Sequence, residues 1–373
     1  MILDSETQRR LLPPKLLERH ADRRGKTRSR RRIACAGFVA VCGLISLSTL
    51  ATARAGPDIW IDTDPSLGLT FHDADDGFAL IQAFHSPEVR IRGISVSYGN
   101  TTLGKALPIA RKLAERFGGP AEIDAGSVVS GAVGPEDLGR ETDATRSLEK
   151  LLETCSGDQR RLVYVALGPL TDLATSLQRR PDLVPVLESA ILLGGRSPGE
   201  HFRVAGSWNR YEFHDANFEK DPAATAIVLR SGVPVILVPV GLAFREELLI
   251  TSGDFDRLRN EGDEAGRYLA EAASSWLRGW RYGFGARGGP LFDSLAILAV
   301  THPQLCTFSS RRVVISPRID APVSESSQGN YLLIMPEDSA TPAASSVKVC
   351  ASVAAGAKAT IMDRLLRRPP ATQ

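Results

Sequence analysis

The stretch IWIDTDPSLGLTFHDADDGFAL, Ile59 to Leu80, decides how the rest of the chain is read. It begins as an apolar, strand-like run and then places five aspartates, Asp62, Asp64, Asp73, Asp75 and Asp76, within fifteen residues. Asp62 and Asp64 flank Thr63 where the strand ends, while Asp75 and Asp76 open a helical segment, whose N-terminus favours a carboxylate. Capping accounts for one such residue, not for five. Carboxylates sharing a concave site repel one another and raise each other's pKa values unless a cation compensates them. All-oxygen donors at flexible spacing suit a hard cation, Ca²⁺ ahead of Mg²⁺ if the donor count reaches about six to eight. The competing reading is a solvated turn with capping aspartates. An EF-hand is excluded, because Asp73-Ala74-Asp75-Asp76-Gly77 lacks the alternation and the later Glu.

Outward from this stretch, short β-branched runs alternate with helical segments, the pattern of an α/β fold with a mostly parallel central sheet and helices on both faces. Strands are expected at DIWID (58–62), VRIRGISVSYG (89–99), RLVYVALG (161–168), ESAILLGG (188–195) and VPVILVPVG (233–241). Helices are expected near Asp76 to Phe84, Leu103 to Phe117, Thr171 to Gln178 and Ala223 to Arg230. Arg312 to Ser316, Tyr331 to Met335 and Val347 to Ser352 read as a small β-rich C-terminal appendage, closed by a helix near Ala357 to Leu366. No repeat or low-complexity linker divides the region, so residues 56–373 are expected to form one domain. In such sheets ligands bind outside the carboxyl ends of the strands, where the aspartate loop lies.

The N-terminus is of another kind. Residues 1–32 hold eleven Lys/Arg against four Asp/Glu, and the apolar run IACAGFVAVCGLISLSTL follows, about as long as a bilayer or translocon accepts. Ala53-Arg54-Ala55 is a small-x-small cleavage site, so residues 1–55 read as an export signal, with an uncleaved membrane anchor as the alternative. Ser29-Arg30-Arg31-Arg32-Ile33 resembles a twin-arginine signal, and the expected location is periplasmic or secreted. The whole chain carries +2, of which residues 1–32 contribute +7 and Arg54 +1, leaving the remainder at −6. A nucleic-acid partner would need a basic face, so that class is excluded, and the membrane enters only through the signal. Cys155, Cys306 and Cys350 remain, an odd number without metal spacing.

Other strand ends bear on the same site: SVSYGN ends at Asn100, VALGPLTDLA turns after Leu167, and ILLGG ends on two glycines that admit close backbone approach. At this point the ordered motifs resemble the inosine-uridine-preferring nucleoside hydrolases, which cleave nucleosides to ribose and a free base. The family's DxDPGxDDAxAL stands here as DTDPSLG, an insertion, then DADDGFAL; the resemblance continues through Asn100, GPLTDLA, ILLGG, NRYEFHDANFEKDPAA and FDSLAILAV, over roughly residues 58–368.

The resemblance implies that Asp64, Asp76 and Asp293 ligate Ca²⁺ by side chain and Leu167 by its carbonyl, with Asp75 reaching the ribose side as well as the metal shell. Asn100, Asn209, Asp215 and Asn217 would hold the ribose, Asp62 would orient the ligands from behind, and a homo-oligomer is implied. Cleaving a ribosyl C–N bond passes through an oxocarbenium-like sugar, and Asp64 is the candidate base for the attacking water. The chain departs from the family in having Asp215 where many members have Glu, and Phe292 where many have the His that protonates a purine leaving group. His72, His214, Arg281 and Tyr282 are the substitutes considered. The insertion Ser66 to Phe71 must bulge outward if both aspartate pairs reach one ion. Among Trp276, Trp280, Tyr282 and Phe284, base contact competes with a helix-core role, and Gly285 to Gly289 reads as a flexible approach to the site. Two alternatives stay open: a riboside-binding member with little turnover, and a Mg²⁺ phosphohydrolase of the haloacid-dehalogenase type using Asp62 and Asp64.

Overall fold

A strand covered on both faces has no solvent side, and β1 (Asp58–Thr63) and β4 (Leu162–Ala166) are buried at every residue. The structure, a computed structural model, describes residues 56–118, 123–128, 140–204, 212–320, 331–337 and 345–368. With β1 and β4 the further strands are β2 (Arg90–Val96), β3 (Ile123–Ala125), β5 (Leu187–Leu193), β6 (Val235–Val238), β7 (Ile250–Thr251), β8 (Gly288–Gly289), β9 (Cys306–Ser316), β10 (Tyr331–Ile334) and β11 (Ser345–Val353). The helices are α1 (Asp75–Phe84), α2 (Leu103–Leu113), α3 (Asp143–Gly157), α4 (Thr171–Arg179), α5 (Ala216–Lys220), α6 (Pro222–Arg230), α7 (Ser252–Asn260), α8 (Glu264–Ala272), α9 (Ser274–Arg278), α10 (Phe292–Thr301) and α11 (Ala357–Leu366).

The main sheet runs β10-β9-β11-β6-β5-β4-β1-β2-β3. Strands β3 through β11 in that order are mutually parallel, and β9 pairs antiparallel with both β11 and β10. The expected C-terminal β-rich part is present, and it extends the same sheet at one edge through the pairing of β11 with β6. The chain leaves β1 toward one edge and returns at β4 toward the other, so the switch point, where a ligand crevice opens, lies between these two strands.

Alternation divides β1 between two cores. Ile59 and Ile61 pack with α1, α2, α10 and α11 on one face, and Trp60 packs with α3, α4 and α6 on the other. Trp60 lies opposite Gly93 of β2, where an added Cβ would come within 2.4 Å of the indole ring, so the flat ring lies over a residue that must lack a side chain. At the N-terminal end of β1, buried Asp58 accepts hydrogen bonds from Arg90, Arg92 and Arg160 at 2.7, 2.9 and 2.9 Å. A buried carboxylate surrounded by guanidinium groups is the compensated case. The other end of the strand is built differently.

Strand β3, helix α3 and the small β7–β8 pair were not among the expected elements. Two of the three glycines of 285–289 are pinned: Gly288 and Gly289 pair with Thr251 and Ile250, and a Cβ on Gly289 would meet the Trp276 ring at 2.2 Å. Cys155, Cys306 and Cys350 are buried free thiols. Among the described residues no helix is long and apolar enough to cross a membrane.

Candidate active site

Two helix N-termini meet beyond the carboxyl end of β1. Helix α1 begins with Asp75 and Asp76, α10 carries Asp293 in its first turn, and the two helices pack against each other. Oxygens of Asp75, Asp76 and Asp293 lie within 4.8 Å of one another, all three side chains buried. The backbone N–H of Asp293 donates to Asp75 Oδ2 at 3.4 Å, which links the two helix starts directly.

Asp76 closes the other side. Its Oδ1 accepts from Thr63 Oγ1 at 2.5 Å and from the Asp64 N–H at 3.0 Å, and its Oδ2 accepts from Asn100 Nδ2 at 2.9 Å. The strand end and the helix start are thereby stitched together across the insertion. Asp64 receives the Asn100 N–H on Oδ2 at 2.6 Å, while its Oδ1 is buried with no hydrogen-bond partner. Two glycines make room for this carboxylate, since a Cβ on Gly99 would sit 1.6 Å from Asp64 Oδ2 and one on Gly168 3.1 Å from Asp64 Oδ1.

The electrostatics are those of an uncompensated cluster. Burial, then mutual repulsion, pushes the carboxyls of Asp64, Asp75 and Asp293 well above the usual carboxylate range. Burial also raises Asp76, partly offset by its hydrogen bonds from Thr63, Asp64 and Asn100. Lys220 acts against the rise at Asp64, but it does not match the three-arginine shell around Asp58. Buried, converging oxygens, one of them without a donor, fit a cation of the hard, oxygen-seeking kind.

The insertion does bulge out. Ser66 Oγ donates to the Asp73 carbonyl at 2.6 Å and closes the loop at its base, and Leu67 tucks inward over Gly77. Gly68 and Phe71 take positive φ, 88° and 61°, and the Phe71 ring is 83% exposed. His72 Nδ1–H donates to the Asn100 carbonyl at 3.0 Å, and Asp73 Oδ1 accepts from Trp276 Nε1 at 2.8 Å.

Across the crevice, Asn217 Nδ2 donates to the Leu167 carbonyl at 2.7 Å, leaving one lone pair of that oxygen free. Asp215 caps the short helix α5: Oδ2 accepts from the Gly195 N–H at 2.6 Å and Oδ1 from the Phe218 N–H at 3.3 Å. Burial pushes the Asp215 carboxyl up to about 6, against these hydrogen bonds and the buried Arg196 guanidinium. Asn209 lies outside the described residues.

Asp62 meets the site through its backbone, its carbonyl accepting from the Leu167 N–H at 2.8 Å, while its side chain is held elsewhere. It shares the Trp60 side of β1, and its Oδ1 accepts from Ser95 Oγ at 2.8 Å, the same hydroxyl that accepts from Trp60 Nε1. It hydrogen-bonds none of the clustered carboxylates and does not line the crevice. The phosphohydrolase reading needs Asp62 and Asp64 to face one substrate, whereas Asp62 is held by the Ser95 hydroxyl and Asp64 by the Asn100 N–H.

The crevice is a cavity of about 670 Å³ lined by Asp75, Asp293, Asn100, Leu167, Asp215 and Asn217. Aromatic side chains line it as well: Trp276, Trp280, Tyr282 and Phe284, joined by Phe213 and Phe292. Trp276 and Trp280 are buried, with Phe213 4.8 Å from Trp280 and Phe292 edge-on to Phe244 at 5.1 Å between ring centroids, so these rings are core and cavity lining at once. Tyr282 is 70% exposed at the rim. The signal for the aromatic lining was present in the Trp276–Phe284 run; Phe213 carried none beyond its place in the family motif.

Comparison with known proteins agrees with this architecture. The pyrimidine-specific ribonucleoside hydrolase RihB of Escherichia coli is 24% identical over 262 residues, 66% of this chain and 78% of that protein. The plant nucleoside hydrolase PpNRh1 superposes with a TM-score of 0.64 at 23% identity, covering 83% of this chain and 99% of that one. The purine-preferring ribonucleoside hydrolase of Gardnerella vaginalis gives 0.63 at 20% identity, covering 83% and 98%. At these identities the two structures speak for the fold. The model of the inosine-uridine preferring nucleoside hydrolases matches residues 59–359, from the first buried strand to the last helix, and the chain belongs to that family.

Proposed function

We propose that the protein hydrolyses the N-glycosidic bond of ribonucleosides, with calcium held at the carboxylate cluster and Asp64 taking a proton from the attacking water. The observation that carries this reading is the meeting of buried Asp75, Asp76 and Asp293, two of which line a cavity shared with aromatic side chains, with Asp64 bonded to Asp76 and Asn100 behind them and its Oδ1 without a partner. Asp64, Asp76 and Asp293 and the Leu167 carbonyl would hold the ion, with Asp75 beside them. When bound, calcium supplies positive charge that compensates the cluster and makes a neighbouring water easier to deprotonate. The residues of the chain do the rest. Asn100, Asn209, Asp215 and Asn217 take the ribose hydroxyls, the amides both donating and accepting. The aromatic residues take the base, and the carboxylates favour the positive charge that grows on the sugar.

The test is ribose release from a panel of purine and pyrimidine ribonucleosides. Tight binding of every nucleoside without release would replace this proposal with a riboside-binding role, the reading that Phe292 motivates. Asp215 also gives a pH expectation. As pH falls through about 6 its carboxylate takes a proton and loses an acceptor for the ribose, so kcat/KM should fall on that limb. A rate profile flat from pH 5 to pH 8 would remove Asp215 from substrate binding. For stability the sign is opposite: a raised carboxyl pKa contributes below the unfolded value and is lost as pH rises through about 6.

We also propose export through residues 1–55, on the basic start, the apolar run and Ala53-Arg54-Ala55. The intact mass of protein recovered outside the cytoplasm should correspond to a chain beginning near Gly56. A full-length chain confined to the cytoplasm would contradict it.

A further inference from the structure

Breaking the ribosyl C–N bond sends its electron pair to the base nitrogen, and an unactivated base leaves far more readily once that nitrogen is protonated. At the helix start where a proton donor would be sought, this chain has Phe292, packed edge-on against Phe244. We propose that His72, supplied by the insertion between the two aspartate pairs, protonates the departing base. The assignment rests on the nucleoside hydrolase reading above.

The insertion is tied to both the polar and the aromatic residues of the cavity. His72 Nδ1–H is held by the Asn100 carbonyl at 3.0 Å, and Asn100 in turn donates to Asp64 and Asp76. The next residue, Asp73, is held by Trp276 Nε1 at 2.8 Å. A nucleoside lying with its ribose on the carboxylates and its base on the aromatic residues has its glycosidic nitrogen between the two groups, and His72, tied to Asn100 of the first and followed by Asp73 tied to Trp276 of the second, is among the residues that line the cavity. Because the Asn100 carbonyl only accepts, Nδ1 must carry hydrogen, and Nε2 is the nitrogen left to deliver a proton. Phe71, next in sequence, holds a positive φ of 61° although it is not glycine, a conformation that the loop closure by Ser66 and Asp73 maintains.

The other candidates are placed less well. His214 also lines the cavity, but it is 69% exposed and its Nδ1 is bound to Glu219 Oε2 at 2.8 Å, whereas His72 and Asp73 are tied to Asn100 and Trp276. Arg281 is bonded to Ser252 and does not line the cavity. Tyr282 stands at the rim.

The step balances without a further reagent. The C–N pair goes to the base nitrogen, the His72 Nε2 proton follows it, the water oxygen bonds to the anomeric carbon, and the water proton goes to Asp64. Solvent carries a proton from Asp64 back to His72 before the next turnover.

The experiment compares the wild type, His72→Gln and His214→Gln on inosine, uridine and p-nitrophenyl β-D-ribofuranoside, whose nitrophenolate leaves without a proton. His72→Gln should lose about 10²- to 10⁴-fold in kcat on the nucleosides and stay within a few-fold of wild type on the nitrophenyl riboside. An unchanged calcium-induced rise in Tm shows that the variant keeps the carboxylate site. Equal losses on all three substrates, or no loss on the nucleosides, overturns the assignment, as does the selective pattern appearing in His214→Gln instead. A wild type that cleaves none of the three overturns the hydrolase reading itself, and the assignment with it.

Discussion

Replacing Asp64 with Asn is expected to lower kcat on ribonucleosides by about 10²- to 10⁴-fold, the usual contribution of a positioned general base, while the fold survives. The carboxylate is fully buried, one oxygen bound by the Asn100 N–H and the other without a partner, so an amide of the same shape fits the space but has no basic oxygen to offer. The fold should even gain in the absence of calcium. Burial and repulsion by Asp76 raise the Asp64 carboxyl well above its usual range, which means that its ionised form costs stability at neutral pH. Removing that charge relieves the cost. Kinetics and thermal melts on the same preparation check both halves: retained turnover would remove Asp64 from the chemistry, and a collapse of Tm would make its role structural.

The second large effect is on stability. Adding calcium to the chelated protein should raise Tm, by about 5 °C at a hundredfold excess over Kd, since that excess is worth about 2.7 kcal/mol and a domain of this size moves roughly 2 °C per kcal/mol. Asp293→Asn should shrink the rise, because it removes one of three carboxylates lying within 4.8 Å. The pH dependence has a definite sign. Asp64, Asp75 and Asp293 have raised carboxyl pKa values, so their contribution to stability is present below the unfolded value near 4 and is lost as pH rises through the folded values. The chelated protein should therefore melt lower at pH 8 than at pH 5, and calcium should narrow that difference. Equal melting curves with and without the ion, at both pH values, would contradict a cation site here. Differential scanning calorimetry measures all of it.

Much of this was legible in one stretch of sequence. The alternation of apolar residues in β1, the two aspartates beyond it and the two opening α1 are local facts, and the family motifs locate Asp293 on a later helix. What brings Asp293 to Asp75 is the packing of α10 on α1, a long-range contact that no local pattern contains. Asp62 lies on the Trp60 side of the strand, and what holds its carboxylate is Ser95, brought opposite it by the pairing of β1 with β2. Asp215 is likewise held from elsewhere, since the hydrogen bond from Gly195 that anchors it depends on the end of β5 lying beside α5. Gly288 and Gly289 read as slack in the chain; the β7 backbone and the Trp276 ring that require them are contributed by other segments. The C-terminal strands read as an appendage of the one domain, as they are; that β11 joins the main sheet beside β6 is not encoded in the run itself, because pairing partners lie elsewhere in the chain.

The central claim is hydrolysis of a ribonucleoside at the carboxylate cluster. Its most direct measurement is ribose released from inosine and uridine by the purified protein in calcium, after chelation, and after calcium is restored. The account predicts release that disappears with the chelator and returns with the ion. Release that is indifferent to chelation, or absent from both nucleosides while calcium is present, would contradict it.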